Sequence, residues 1–149
     1  MANRAAFTET LLRRCRDLGP VRMVVRNSCG LAEAFVDLSQ LELVDGWANV
    51  VVPGAHVHLT PRAFGAVAFR NVEGAGGRSA PAIWLYANGG CPTVMLVLDQ
   101  TSGEAADEQA VVYRQLGRDF GPFMYLVSEA HQSAPARSES ADARPAFQH

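Results

Sequence analysis

The first regular pattern along the chain is an apolar stripe near its start, made of Phe7, Leu11, Cys15 and Leu18. These positions recur at spacings of four, four and three residues, which is the period of an α-helix with one buried face. Gly19-Pro20 follows the stripe and cannot continue a helix. The pattern therefore predicts a helix over residues 5–18.

The middle of the chain, from Val21 to Leu98, is built of short segments in which apolar residues alternate or run together between turn residues. This pattern is typical of β-strands. Strands are predicted at 21–26, 31–36, 55–59, 66–72, 81–87 and 93–98, and at 41–52 as one strand bent at Asp45-Gly46. Thr60-Pro61 predicts a short helical turn, and the glycine-rich stretches 74–79 and 88–90 predict connecting loops.

A second helix is expected to begin near Thr101. Thr101 and Glu104 fit a capping box, and Val112, Leu116 and Phe120 follow at spacings of four residues. From His131 onward the chain consists mainly of Ser, Ala, Pro, Arg and Gln, a composition that does not build a core. We therefore expect one domain over residues 1–130 and a disordered tail over 131–149.

The order of these elements is helix, about seven strands, helix. This order predicts an α+β fold with a mainly antiparallel sheet flanked by helices. Two helices cover one face of such a sheet, so its other face must meet a partner, a ligand or water. Several strands are apolar on both faces, which favours a dimer or a ligand cavity at the second face.

Composition narrows the functional classes. The chain has 149 residues, of which 48% are hydrophobic and 19% charged, with a formal net charge of −2. This is a globular composition without the basic excess of a general nucleic-acid binder. We expect no membrane insertion and no signal peptide, because no apolar run approaches the required length. Three cysteines without a CxxC pair suggest reduced thiols, which together with the missing signal predicts a cytoplasmic protein.

Candidate chemistry is limited to two histidines and a set of arginines. His56 and His58 occupy alternate positions of a predicted strand, so both side chains point to one side. Neutral imidazole binds transition metals and haem iron, but two such histidines are also common as ordinary surface residues. The arginines in or beside the predicted strands are Arg22, Arg26, Arg62 and Arg70. They could hold carboxylates or phosphates, or they could form salt bridges on a solvated face.

Six short segments then occur in a suggestive order. They are VRMVVRNSCG at 21–30, GWANV at 46–50, HVHL at 56–59, AVAFR at 66–70, AIWLY at 82–86 before Gly89-Gly90, and VYRQL at 112–116. In order and spacing they resemble the HemS/ChuX/HutX-type haem-utilisation proteins. The resemblance implies their fold and, since HemS-type members contain two copies of this unit, a single-unit ChuX/HutX-like member that pairs as a homodimer. It also implies intracellular handling of haem, with a protein that delivers or accepts it.

The resemblance further implies a set of haem-binding residues. His58 matches a histidine implicated in haem binding, which makes it the expected iron ligand, with His56 as the alternative. Arg26 stands where ChuX-type members have a second histidine; it cannot ligate iron but could pair with a propionate. Arg70 matches a family arginine that is followed here by Asn71 instead of lysine. Arg62 is a second propionate candidate, and Phe69, with Phe35 and Phe64, is expected against the macrocycle.

Three functions follow from this reading. The chain could be a haem carrier or buffer without enzymatic activity. It could degrade haem with electrons from a partner, since the sequence has no flavin or nicotinamide motif. It could also be a divergent member that binds another small anionic ligand, which the departures at Arg26 and Asn71 favour.

Overall fold

Both predicted helices are present in the computed structural model, which describes residues 4–73, 77–87, 92–98, 103–121 and 123–125. The first helix, α1, spans Arg4–Cys15 and continues into a 3-10 turn over Arg16–Leu18. Gly19 then adopts a φ of 66°, a left-handed conformation that ends the turn. The second helix, α2, spans Glu104–Phe120, so it begins close to the predicted position.

Nine strands occur in the described part of the chain. They are β1 (Pro20–Asn27), β2 (Gly30–Asp37), β3 (Glu42–Val44), β4 (Trp47–Val52), β5 (Ala55–Leu59), β6 (Phe64–Glu73), β7 (Ser79–Ala87), β8 (Pro92–Val97) and β9 (Phe123–Tyr125). Short 3-10 turns over Leu38–Gln40 and Pro61–Ala63 join neighbouring strands. The second of these is the helical turn that Thr60-Pro61 predicted. The α+β class is confirmed, and β9 was not predicted.

The strands form two sheets, where the sequence predicted one. The large sheet has the order β2-β1-β8-β7-β6-β9, and the small sheet has the order β3-β4-β5. All recorded pairings are antiparallel. The prediction of a single bent strand over 41–52 was wrong. Asp45 and Gly46 have φ values of 51° and 79°, so they form a tight reverse turn that pairs β3 with β4.

The core lies between the helices, one face of the large sheet and the inner face of the small sheet. Its largest buried side chains include Leu11 and Leu12 of α1, Met23 and Ile83 of the large sheet, and Val50 of the small sheet. This arrangement confirms that both helices pack on one side of the large sheet. The opposite face of that sheet carries a separate cluster whose described members are all strand residues, namely Val24, Val72, Ala80, Ala82, Trp84, Met95 and Val97.

Some sequence expectations fall outside the described residues. These are the tail over 131–149, the centre of the 74–79 loop and the turn at 88–90. The predicted capping box of Thr101 and Glu104 was wrong: the N-cap of α2 is Gly103, which has no side chain to accept a hydrogen bond, and Glu104 is the first helical residue. Trp47 is 46% exposed, because it lies on the outer face of the small sheet. Neither described helix is long and apolar enough to cross a bilayer.

Candidate functional site

The outer face of the small sheet is the surface that carries both described histidines. Alternation along β4 and β5, together with their register, places Asn49 opposite His58 and Val51 opposite His56. The register of β3 with β4 places Val44 opposite Trp47 on the same face. We call this surface the histidine face; its members are Glu42, Val44, Trp47, Asn49, Val51, His56 and His58.

His58 is held by a side chain of the neighbouring strand. Its Nδ1 lies 2.7 Å from Oδ1 of Asn49, which is a short hydrogen bond between directly opposite residues. The ring of His56 lies beside it, with 6.5 Å between the two ring centroids and 51° between their planes. The structure therefore brings the two predicted histidines together, and Asn49 with them.

Three apolar side chains on the histidine face are open to solvent. Val44 is 48% exposed, Trp47 46% and Val51 55%. Ala48 and Val50 alternate with Trp47 and Val51 along β4, so they point to the opposite face, and both are almost completely buried in the core. The small sheet thus has one face in the core and a second face on which imidazole rings stand among exposed apolar groups.

Arg70 belongs to a second cluster, on the face of the large sheet that points away from the helices. Its guanidinium carbon lies 4.3 Å from the centroid of the Trp84 ring, and its Nη2 donates a hydrogen bond to the hydroxyl of Tyr86. Trp84 in turn donates from Nε1 to the carbonyl oxygen of Arg70, at 3.0 Å. These contacts place the guanidinium group over the Trp84 ring and near the Tyr86 ring, whose centroid lies 5.8 Å from the guanidinium carbon.

The remaining predicted site residues lie in three different places. Arg26 is exposed near the end of β1, on the same face of the large sheet as Arg70. The register aligns Arg70 with Arg22 of β1, through Ala82 and Val97 on the strands between them. Arg26 lies four residues after Arg22 along β1. Arg62 is exposed in the 3-10 turn that follows β5.

Phe69 lies on the core side of β6, half-buried, with its ring centroid 5.8 Å from that of Tyr113 on α2. Burial raises the pKa of the Tyr113 phenol above its usual range, while the hydrogen bond to the Ala82 carbonyl opposes the rise. Phe69 and Arg70 are adjacent in sequence and therefore point to opposite faces of the sheet.

The arrangement supplies an imidazole nitrogen but no closed metal cage. Among the described residues, no three histidine, cysteine, aspartate or glutamate side chains converge on one point. A tetrahedral zinc site needs about four ligands, so the histidine pair does not form one. A single imidazole is instead one of the ligand sets that hold haem iron in proteins. Sequence reasoning missed Asn49 and Trp47, although both lie within the GWANV segment, because their role depends on the strand register.

Comparisons with known proteins give structural similarity without sequence similarity. No family model matches the sequence, and no curated protein matches it. A structure of ChuX, described as a haem-binding protein, is 15% identical, with a TM-score of 0.61 over 78% of this chain and 74% of that one. A protein of Agrobacterium tumefaciens is 18% identical, with a TM-score of 0.60 over 79% of this chain and 69% of its own.

A longer protein is similar over one part of its length. The haem-binding protein PhuS of Pseudomonas aeruginosa, in its holo form, is 19% identical with a TM-score of 0.60. The match covers 85% of this chain but 36% of PhuS. These likenesses show that the chain has the fold of the HemS/ChuX haem-utilisation proteins, as the sequence resemblance predicted.

Proposed function

We propose that this chain is a cytoplasmic haem-binding protein that carries or buffers haem, with His58 as the iron ligand. The observation that carries the proposal is the histidine face itself, where an exposed imidazole stands among exposed apolar side chains. The shared fold supports it, because ChuX and PhuS are both described as haem-binding proteins. The proposal extends their described property to a chain that is less than one-fifth identical to either.

The residues of the histidine face fit a haem group. Most of the affinity for a large flat macrocycle comes from apolar burial, at about 25 cal/mol per Å². Trp47 and Val51 lie on either side of Asn49 along β4, and Asn49 is opposite His58. Both side chains offer apolar surface that is open to solvent. The His58 ring supplies the coordinating nitrogen, and His56 is the alternative ligand two residues away.

Arginine side chains would hold the propionates. Arg62 is exposed in the 3-10 turn that follows β5, four residues after His58. We propose Arg26 and Arg70 as further propionate partners, although both lie in the large sheet. Phe69 packs in the core against Tyr113, so contact between Phe69 and the macrocycle requires this packing to open.

A hemin titration tests the function. Wild-type protein should give a saturable, shifted Soret band, and His58→Ala should lose or alter it. His56→Ala is the matched control, since it removes a neighbouring exposed imidazole from the same strand and should leave the band in place. If His56→Ala alters the band and His58→Ala does not, the ligand assignment is wrong while the function stands.

The same titration separates the other functions. Loss of the bound-haem spectrum on addition of a reductant would indicate haem degradation. Absence of any saturable band at micromolar hemin would overturn haem binding. That result would favour the divergent reading, in which exposed arginines such as Arg26 bind another small anionic ligand.

We also propose that the chain forms a homodimer. Phe35 is 78% exposed and Leu31 65%, and both lie on β2, the edge strand of the large sheet. Register places Phe35 opposite Arg22, on the sheet face that points away from the helices. Two such apolar side chains on one strand are unusual for a surface that meets only water.

Light scattering after size-exclusion chromatography tests the dimer. Wild-type protein should have twice the chain mass, and Phe35→Arg should shift it to the monomer. Val111→Arg is the control, because Val111 is 57% exposed on α2 and lies away from the large-sheet face. A monomeric wild-type protein would contradict the proposal.

A further inference from the structure

We infer that Asn49 is the positioning residue for His58: its side-chain oxygen fixes the imidazole tautomer and aims Nε2 outward as the ligand nitrogen. This inference rests on the proposed haem-binding function, which it deepens by assigning the atom that binds and the residue that prepares it. It is carried by one short hydrogen bond and by the strand register.

The proton on the His58 ring follows from the chemistry of its partner. Oδ1 of Asn49 is an amide carbonyl oxygen, which accepts hydrogen bonds and never donates them. At 2.7 Å from that oxygen, Nδ1 of His58 must therefore be the donor and carry the proton. In the neutral ring the lone pair then resides on Nε2, which is the nitrogen left free to bind a metal.

The strand register explains why a side chain of β4 fixes the tautomer of His58 and not that of His56. Asn49 is the cross-strand partner of His58, whereas the residue opposite His56 is Val51, which has no polar side-chain atom. Both histidines share one face and one strand, so sequence spacing treats them alike. The opposing strand distinguishes them, because it gives one ring a fixed acceptor and the other an apolar neighbour.

A hydrogen-bond acceptor held at the ring nitrogen that does not bind the metal has two effects on a histidine ligand. It holds the ring in one orientation, and it increases electron donation from the coordinating nitrogen. Residues in this role typically change metal affinity by about 10- to 100-fold when they are removed. Asn49 itself is only half-buried, with its neighbours Ala48 and Val50 forming the core contacts of β4. Its side chain is therefore free to serve His58 instead of the core.

The first experiment examines the tautomer without any haem. Long-range ¹H–¹⁵N correlation spectra of the ligand-free protein at slightly alkaline pH report which nitrogen of each ring carries the proton. We expect His58 to be the Nδ1–H form in the wild type and to lose that preference in Asn49→Val. Valine suits a strand position, so the variant is expected to fold. An Nε2–H tautomer of His58 in the wild type would overturn the inference, because the amide would then be donating.

The second experiment measures the consequence for binding, with hemin as the probe. Asn49→Val should weaken hemin affinity about 10- to 100-fold. Asn49→Asp keeps an acceptor of the same shape, so it should retain binding and shift the reduction potential of the iron to a more negative value. A purely structural role for Asn49 would not give a change of potential with retained binding. Equal affinity of wild type and Asn49→Val would overturn the inference.

A double-mutant comparison completes the test. In a His58→Ala background, Asn49→Val should have no further effect on hemin affinity, because Asn49 acts through the ring. The same loss in both backgrounds would show that Asn49 acts elsewhere and would contradict the inference. If the wild type binds no hemin, the proposed function fails by itself, and the tautomer spectra still decide whether Asn49 orients His58.

Discussion

The side-chain nitrogen of Gln109 lies 2.8 Å from the carbonyl oxygen of Leu18, a residue 91 positions earlier in the chain. The same nitrogen also donates to the carbonyl oxygen of Pro20 at 2.7 Å. Gln109 is 4% exposed. One buried amide of α2 therefore satisfies two backbone acceptors at the point where the 3-10 turn after α1 ends and the large sheet begins.

Replacing Gln109 by leucine should destabilise the protein by about 2 kcal/mol, because carbonyl groups would lose their donor in a region closed to water. Chemical denaturation followed by circular dichroism measures the change. Gln115→Leu on the same helix is the control, since Gln115 is exposed and donates a hydrogen bond to the exposed side chain of Asp119 one turn later. A similar loss for both variants would contradict the role assigned to Gln109.

The turn between β3 and β4 requires a residue without a side chain at Gly46, where φ is 79°. Gly46→Ala should cost about 1–2 kcal/mol of unfolding free energy, because an L-residue is strained in this conformation. Gly30→Ala is the matched control. Gly30 has no positive φ, and an added Cβ would meet nothing within 4 Å, so its replacement should be nearly neutral. Equal destabilisation of the two variants, measured by denaturation, would rule out this explanation.

The two described cysteines should differ sharply in reactivity. Burial raises the pKa of the Cys15 thiol to about 12, with the Arg14 charge opposing the shift, so the reactive thiolate is nearly absent at pH 8. Cys29 is exposed in the β1–β2 turn. In a Cys91→Ser background, a thiol-reactive dye should label Cys29 quickly and Cys15 only after unfolding. Labelling of Cys15 at the rate of Cys29 in the folded protein would refute its burial.

The ion pair between Arg14 and Asp119 should make stability depend on pH. Arg14 Nη1 lies 2.5 Å from Oδ2 of Asp119, and hydrogen bonding from Arg14 is the largest of the effects that lower the pKa of that carboxyl group. A lowered folded-state pKa adds stability above the unfolded-state pKa, near pH 4, and that stability is lost as pH falls through the folded-state value.

Asp119→Asn should therefore be less stable than the wild type at pH 7, and the difference should shrink towards zero as the pH falls through the lowered pKa of Asp119. Both side chains are more than one-third exposed, so the effect is small and should decrease further in high salt. Thermal unfolding over a pH series measures it. Glu108→Gln, an exposed change on the same helix, is the control; an identical pH profile for both variants would argue against the ion pair.

The elements with a strong local signal were predicted correctly from the sequence. The stripe from Phe7 to Leu18 became α1 and its 3-10 turn, with Leu11 and Cys15 buried as the period requires. The alternation in β1 and β5 gave strands at nearly the expected bounds. These patterns succeed because period and turn chemistry act between residues close together in the chain.

The prediction at Asp45-Gly46 was wrong because it treated a hairpin turn as a bend within one strand. An Asp-Gly pair between apolar runs is a strong hairpin signal, and reading it as a bend merged two antiparallel strands into one. Because β3 and β4 were merged, the small sheet that contains His56 and His58 was not predicted. With one sheet assumed, nothing in the sequence indicated that Trp47 would be exposed on the same surface as the histidines.

By itself, the sequence determined the α+β class, the order of the elements, the resemblance to the HemS/ChuX proteins and the presence of two histidines on one side of a strand. Only the tertiary structure decided that Asn49 faces His58, that Arg70 lies on Trp84 and that Phe69 turns into the core. The physical reason is the range of the interactions. Periodicity fixes which side of its own element a residue occupies, whereas its contacts depend on which strand lies alongside and in which register.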